Sequence, residues 1–168
     1  MKSFNQILVA IAKAEVGVRE IPANSNTGTR IRAYQAATWL KGTYFPYCAA
    51  FICWVVKQAI IEHERGTGKK ITFKRPQTAA AYGFDEWSLA QDASTTTYVK
   101  YPLKPKSVGI FSLNHSSHCG LAISAPDSGG FFKTVEGNTD ASGSREGGGV
   151  YTRLRHVSDV RDFITFNI

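Results

Sequence analysis

The spacing of apolar residues changes character partway along the chain. At the start, Phe4, Ile7, Leu8 and Ile11 recur at helical intervals, and Ser3 with Gln6 forms a capping-box signature just ahead of them. Gly17 is the expected stop. The stretch IPANSNTGTR reads as a loop, and a second helix is expected over residues 30–40, carrying Ile31, Tyr34 and Gln35. Past Pro46, residues 48–64 (CAAFICWVVKQAIIEHE) form the longest periodic segment. Phe51, Ile52, Val55, Val56, Ala59 and Ile60 spread around much of its circumference, which predicts a helix buried on most sides. GTGKK ends it.

Residues 71–100 show no clear period, and a short helix is expected near Gln77–Tyr82. Beyond them the pattern becomes that of strands, over 107–113, 118–125, 130–136, 150–155 and 162–166. APDSGG is a turn by its Pro, Asp and Gly, and NTDASGSREGGG is a glycine-rich loop without an EF-hand pattern. Helices first and strands later predict an α+β fold, with N-terminal helices packed on a C-terminal antiparallel sheet of about five strands. The length of 168 residues suits one domain over 1–168, helical to about 65 and sheet from about 105.

Composition narrows the picture only in part. The chain is 43% hydrophobic and 20% charged, as soluble globular proteins are. The longest apolar run, Ala49 to Val56, ends at Lys57 and is too short to span a bilayer. Near the N-terminus, Asn5, Gln6, Lys13 and Glu15 interrupt the apolar patch and no small-residue cleavage site follows, so no classical signal peptide is expected. The net charge of +7, with Lys69, Lys70, Lys74, Arg75, Lys100, Lys104 and Lys106 among its sources, favours an anionic partner. Nucleic acid, anionic lipid and an anionic cell wall all qualify. No RRM signature, zinc-finger spacing or phosphate loop is present, and nucleic acid is not the expected partner.

The chemistry to explain is Cys48, at the threshold of the buried helix. A helix N-terminus presents unpaired N–H groups and the positive end of the dipole, which favour a thiolate. The N–H of Cys48 itself is then placed to meet an oxyanion. A nucleophilic thiol needs a base, and of the four histidines His118 opens a strand, on the face it shares with Gly120 and Ala122. These small neighbours leave room for the imidazole to face a cleft. The next strand ends in Glu136 and Asn138, either of which can accept from the Nδ1–H of the ring. A cysteine in an apolar run also serves as an ordinary core residue, and Glu136 with Asn138 also suits a turn. Cys53 and Cys119 fall on predicted interior faces and are expected in the core. With an odd count of three cysteines, at least one thiol is expected to be free. His115, His118 and Cys119 fit no zinc spacing.

Taken together, PYCAAFICWV, SSHCGLAIS and TVEGNT resemble the CHAP-type branch of the NlpC/P60 papain-like amidohydrolases. AEVGVREIPANSNTG and EGNTDASGSREGGGVYTRLR resemble that family's entry and closing segments, so the likeness covers roughly three quarters of the chain and is poor over 61–100. Two positions depart from it. The strand before the histidine reads KSVGI rather than Gly-Asp-Ile/Val, and Cys119 stands where Val or Ile is usual, which puts a second thiol beside the site. The resemblance implies a peptidoglycan hydrolase cutting an amide of the wall peptide, as an N-acetylmuramoyl-L-alanine amidase or a peptide endopeptidase. In that role Cys48 is the nucleophile, His118 the general base, Glu136 the orienting group and Asn138 an assisting or cleft-lining residue. It implies no metal or cofactor. A monomer is expected, acting on the wall or in the periplasm, and a short wall hydrolase without a signal peptide suits release as a phage lysin, injection as an antibacterial toxin, or a fragment of a larger secreted enzyme. A toxin would have an immunity protein as partner. The competing readings are a non-catalytic wall- or polyanion-binding module and a papain-like hydrolase of non-wall amides.

Overall fold

Local sequence accounts for where the helices begin and end. In the computed structural model, which describes residues 2–40, 42–100, 107–144 and 146–168 (without the side chains of 98–100), α1 spans Phe4–Ala14. Lys104 and Lys106 of the basic stretch lie outside the described residues. Ser3 and Gln6 cap α1 reciprocally, and Phe4, Ile7, Leu8 and Ala12 are buried along one stripe. Helix α2, Thr29–Gln35, is shorter than its sequence predicts. Thr38 Oγ1 donates to the Gln35 carbonyl at 2.9 Å, and Ala37 N–H turns back to Tyr34, so the last helical groups are satisfied without another turn. Helix α3 runs Cys48–Thr67 and stops where Gly68 takes φ 70°, the left-handed conformation a glycine supplies most cheaply. Helix α4, Gly83–Leu89, begins where the predicted Gln77–Tyr82 helix was to end. There the Thr78 side chain holds residues 78–80 in a turn, and Asp85 and Glu86 favour a helix start further on.

Six strands follow: β1 Thr96–Lys100, β2 Gly109–Leu113, β3 Cys119–Ala122, β4 Phe131–Thr139, β5 Gly149–His156 and β6 Val160–Phe166. They form one antiparallel sheet in the order β1-β6-β2-β3-β4-β5. The α+β architecture is therefore as expected, with one strand more. Strand β1 lies in the stretch without a readable period, although Thr95, Thr96, Thr97, Tyr98 and Val99 are all residue types that favour strands.

The main core lies between the helices and one face of the sheet, where Phe4, Leu8, Phe51, Ile52 and Val55 meet Ile110, Leu121, Val135 and Ile164. Each such side chain removed from water contributes about 1.5–3 kcal/mol. A smaller cluster of Phe111, Leu113, Ala122, Phe132, Val160 and Phe163 lies on the other face. Burial on both faces explains why β2 and β3 are buried without alternation. This packing sets the N-terminus of α3 against β3 and β4, where the candidate chemistry converges.

Candidate active site

Cys48 is the first residue of α3 and is 6% exposed. Tyr47, the residue before it, gives no side-chain cap to the helix start, which leaves the positive end of a 20-residue helix at the sulfur. Beside it lie two residues of β3 and its approach. Cys119 and His118 both act on the Cys48 sulfur. The Cys119 thiol beside it does most to pull the Cys48 thiol well below its ordinary range. Burial opposes this, and His118 reinforces it. Burial pushes Cys119 up, and the Cys48 charge pushes it further, so Cys48 carries the negative charge of the pair.

His118 immediately precedes β3. Its N–H donates to the Ser116 carbonyl at 2.7 Å, and its carbonyl accepts from Leu113 N–H at 3.0 Å, which pins the backbone. Nε2 lies 2.8 Å from Glu136 Oε2. The ring is therefore oriented through Nε2, not through the Nδ1–H expected from the sequence, and the buried Nδ1 has no hydrogen-bond partner among the described residues. Burial pulls His118 down, but Cys48 and Glu136 beside it outweigh burial and raise the group to about 9. Rather than facing a cleft, the imidazole is 1% exposed. Cys48, not His118, borders the adjoining groove of about 260 Å³, with Leu40, Phe45, Pro46, Tyr82 and Ser117.

Glu136 is 0% exposed on β4 and its carboxylate is fully used. Oε2 accepts from His118 and from Arg155 Nη2 at 2.6 Å, and Oε1 accepts from Arg155 Nε at 2.9 Å and Thr134 Oγ1 at 2.6 Å. Burial pushes the carboxyl up, while the Arg155 and His118 bonds override it and hold it at about 2. Gly120, two residues after His118, makes the room. A Cβ there would come within 2.6 Å of Glu136 Cγ, so the small residue accommodates the carboxylate side chain.

Two candidates from the same strand thus take different positions. Glu136 holds the ring, whereas Asn138 sits 1% exposed at a bulge with φ 58°. Gly137 between them lets β4 approach α3, since a Cβ there would lie 2.8 Å from Phe51 Cβ. Cys53 is a core residue as expected: it is fully buried, its Sγ donates to the Thr78 carbonyl at 3.3 Å, and burial pushes its thiol far up. All three cysteines are free thiols. Among the described residues no group of three His, Cys, Asp or Glu side chains is arranged to hold a metal ion, and the Asp140 carboxylate accepts from Ser142 and Ser144 in a turn.

Arg155, Thr134 and Tyr82 complete the arrangement and were not anticipated. The Tyr82 hydroxyl donates to the carbonyls of Ser116 at 2.8 Å and Leu113 at 3.2 Å, bracing the turn that leads into His118. Arg155 was discoverable: in TRLR of β5, period two puts Arg153 and Arg155 on one face of the strand next to Glu136.

The fold and site together define a cysteine–histidine–carboxylate constellation on an α+β scaffold, the thiol at a helix start and the base and its partner on paired strands. Two solved structures can be set beside this one, and the first shares its fold. The crystal structure of Ly7917 matches with a TM-score of 0.53 at 14% identity, covering 98% of this chain and 62% of that one. The crystal structure of a wild-type endolysin, LysIME-EF1, matches with a TM-score of 0.49 at 15% identity, covering 98% and 64%. The chain thus spans less than two thirds of the length of each. No family model matches the chain, and no curated protein sequence matches it significantly.

Proposed function

We propose that this protein is a thiol-dependent hydrolase that cleaves an amide bond in the peptide part of peptidoglycan. The observation that carries the reading is that Cys48, at the N-terminus of α3, lies within electrostatic reach of a histidine whose Nε2 is fixed by a buried carboxylate. In this mechanism the Cys48 thiolate adds to the amide carbonyl carbon, and the oxyanion faces the uncapped N–H groups of the helix start. His118 gives its proton to the departing amine, leaving a Cys48 thioester. His118 then takes a proton from water as it attacks the thioester, the carboxylic acid leaves, and the Cys48 thiolate and His118 imidazolium are restored. The substrate class rests on the resemblance of PYCAAFICWV, SSHCGLAIS and TVEGNT to the CHAP-type branch of the NlpC/P60 amidohydrolases. A net charge of +7 suits an anionic wall.

Cys48→Ala is the test. The variant is expected to fold normally and to release no new amino groups from purified cell walls, with mass spectrometry of the wild-type fragments identifying the bond cut. Undiminished release by Cys48→Ala would remove the thiol from the mechanism.

A further inference from the structure

We propose that Arg155 is a positioning residue of this site: it supplies the countercharge that keeps Glu136 ionised against His118 and so sustains the Cys48 thiolate. The inference rests on reading Cys48 and His118 as an ion pair. Counting charges shows why a cation is needed. Thiolate, imidazolium and Glu136 carboxylate together leave one negative charge in a region where Glu136 is 0% and His118 1% exposed. A buried carboxylate without a paired cation takes up a proton instead. Arg155 cancels that charge and grips both carboxylate oxygens, at 2.9 and 2.6 Å, with its own side chain only 12% exposed.

No other described cation does this. By strand register Arg153 lies nearer, opposite Thr134, while Arg155 lies opposite Phe132. Yet the Arg153 guanidinium is hydrogen-bonded to the Ala141 carbonyl in the glycine-rich loop, and Arg155 spans the face of the sheet to reach Glu136. The groups facing this cluster are Cys48 from α3, His118 and Cys119 at β3, and Asp159 beside Arg155. Asp159 supports the arginine without contacting the carboxylate.

Removing the cation has one sign whichever way Glu136 responds. If the carboxylate stays charged, its uncompensated charge opposes the thiolate. If it protonates, it stops supporting the imidazolium, and the thiolate loses its partner. Both raise the pH at which Cys48 ionises. The experiment follows iodoacetamide alkylation of Cys48 against pH, by peptide mass spectrometry, in wild type, Arg155→Lys and Arg155→Met. Arg155→Met is expected to move the profile up by about one pH unit or more, and Arg155→Lys, one point charge without the fork, by less. An Arg155→Met profile that coincides with wild type would overturn the inference. If Arg155→Met does not fold, Arg155→Gln, also uncharged, is read in its place against the same criterion. Because alkylation needs no substrate, the result is independent of wall lysis: full lysis by Cys48→Ala would sink the proposed function, and coincident alkylation profiles would sink the role of Arg155.

Discussion

Glu15 and Glu136 are both buried carboxylates gripped by an arginine and a hydroxyl. Glu15 accepts from Arg30 through both oxygens and from Tyr34 at 2.5 Å, much as Glu136 accepts from Arg155 and Thr134. The surroundings differ. Arg30 is about half exposed and lies over the Trp54 ring at 4.4 Å, so the Glu15 group ties α1 to α2 and α3 with one side open to water. Arg155 is closed in, and Glu136 spends one lone pair on an imidazole. The same ion pair acts as a clasp where it ends in a stacked ring, and as an orienting device where it ends in a titratable one.

Exchanging the carboxylates one at a time separates the two roles. Glu136→Gln is expected to lower wall-hydrolysis turnover by roughly 10²–10⁴-fold, the range of a lost acid–base arrangement. Glu15→Gln should leave turnover per folded molecule unchanged while costing about 1–3 kcal/mol in denaturant unfolding. Acid unfolding refines the contrast. Glu136 is held at about 2 against an ordinary 4.5, so its contribution is complete above pH 4.5 and fades as the pH falls through about 2. Glu15 is also lowered, in the same direction. Each glutamine variant should therefore show a shallower loss of stability over that acid window than wild type. Equal turnover in the two variants would break the comparison.

Smaller effects probe the frame. Gly137→Ala forces a methyl against Phe51, one turn into α3, and should cost about 1–3 kcal/mol and slow Cys48 alkylation as the helix start shifts. Cys119→Val removes the thiol beside Cys48 while keeping an apolar core residue. The alkylation profile should move to higher pH by less than in Arg155→Met, with the fold intact. An unmoved profile would show that Cys119 is packing alone.

How much of this was readable depends on whether the signal is local. The capping box of α1, the buried circumference of α3 and the alternation that pairs His118 with Gly120 are all short-range patterns, and all correspond to observed geometry. The choice between Glu136 and Asn138 was not legible, because it turns on a bulge whose left-handed residue shows only in the backbone. Which ring nitrogen meets the carboxylate is a matter of how His118 sits against β4 in space, and the turn before it is held by Tyr82 from 31 and 34 residues away. Helix α4 was misplaced because one threonine side chain captured the preceding turn. Strand β1 was missed in a stretch without amphipathic period, and its pairing with β6 is a long-range contact.

The central claim is that Cys48 and His118 exist as thiolate and imidazolium at neutral pH. Nitrogen-15 chemical shifts of the His118 ring measure this directly. The account predicts two protonated nitrogens at pH 7 and a titration near 9 in wild type, with the midpoint falling in Cys48→Ala, where the sulfur that raises it is gone. A neutral His118 ring at pH 7, or a midpoint indifferent to Cys48→Ala, would contradict it.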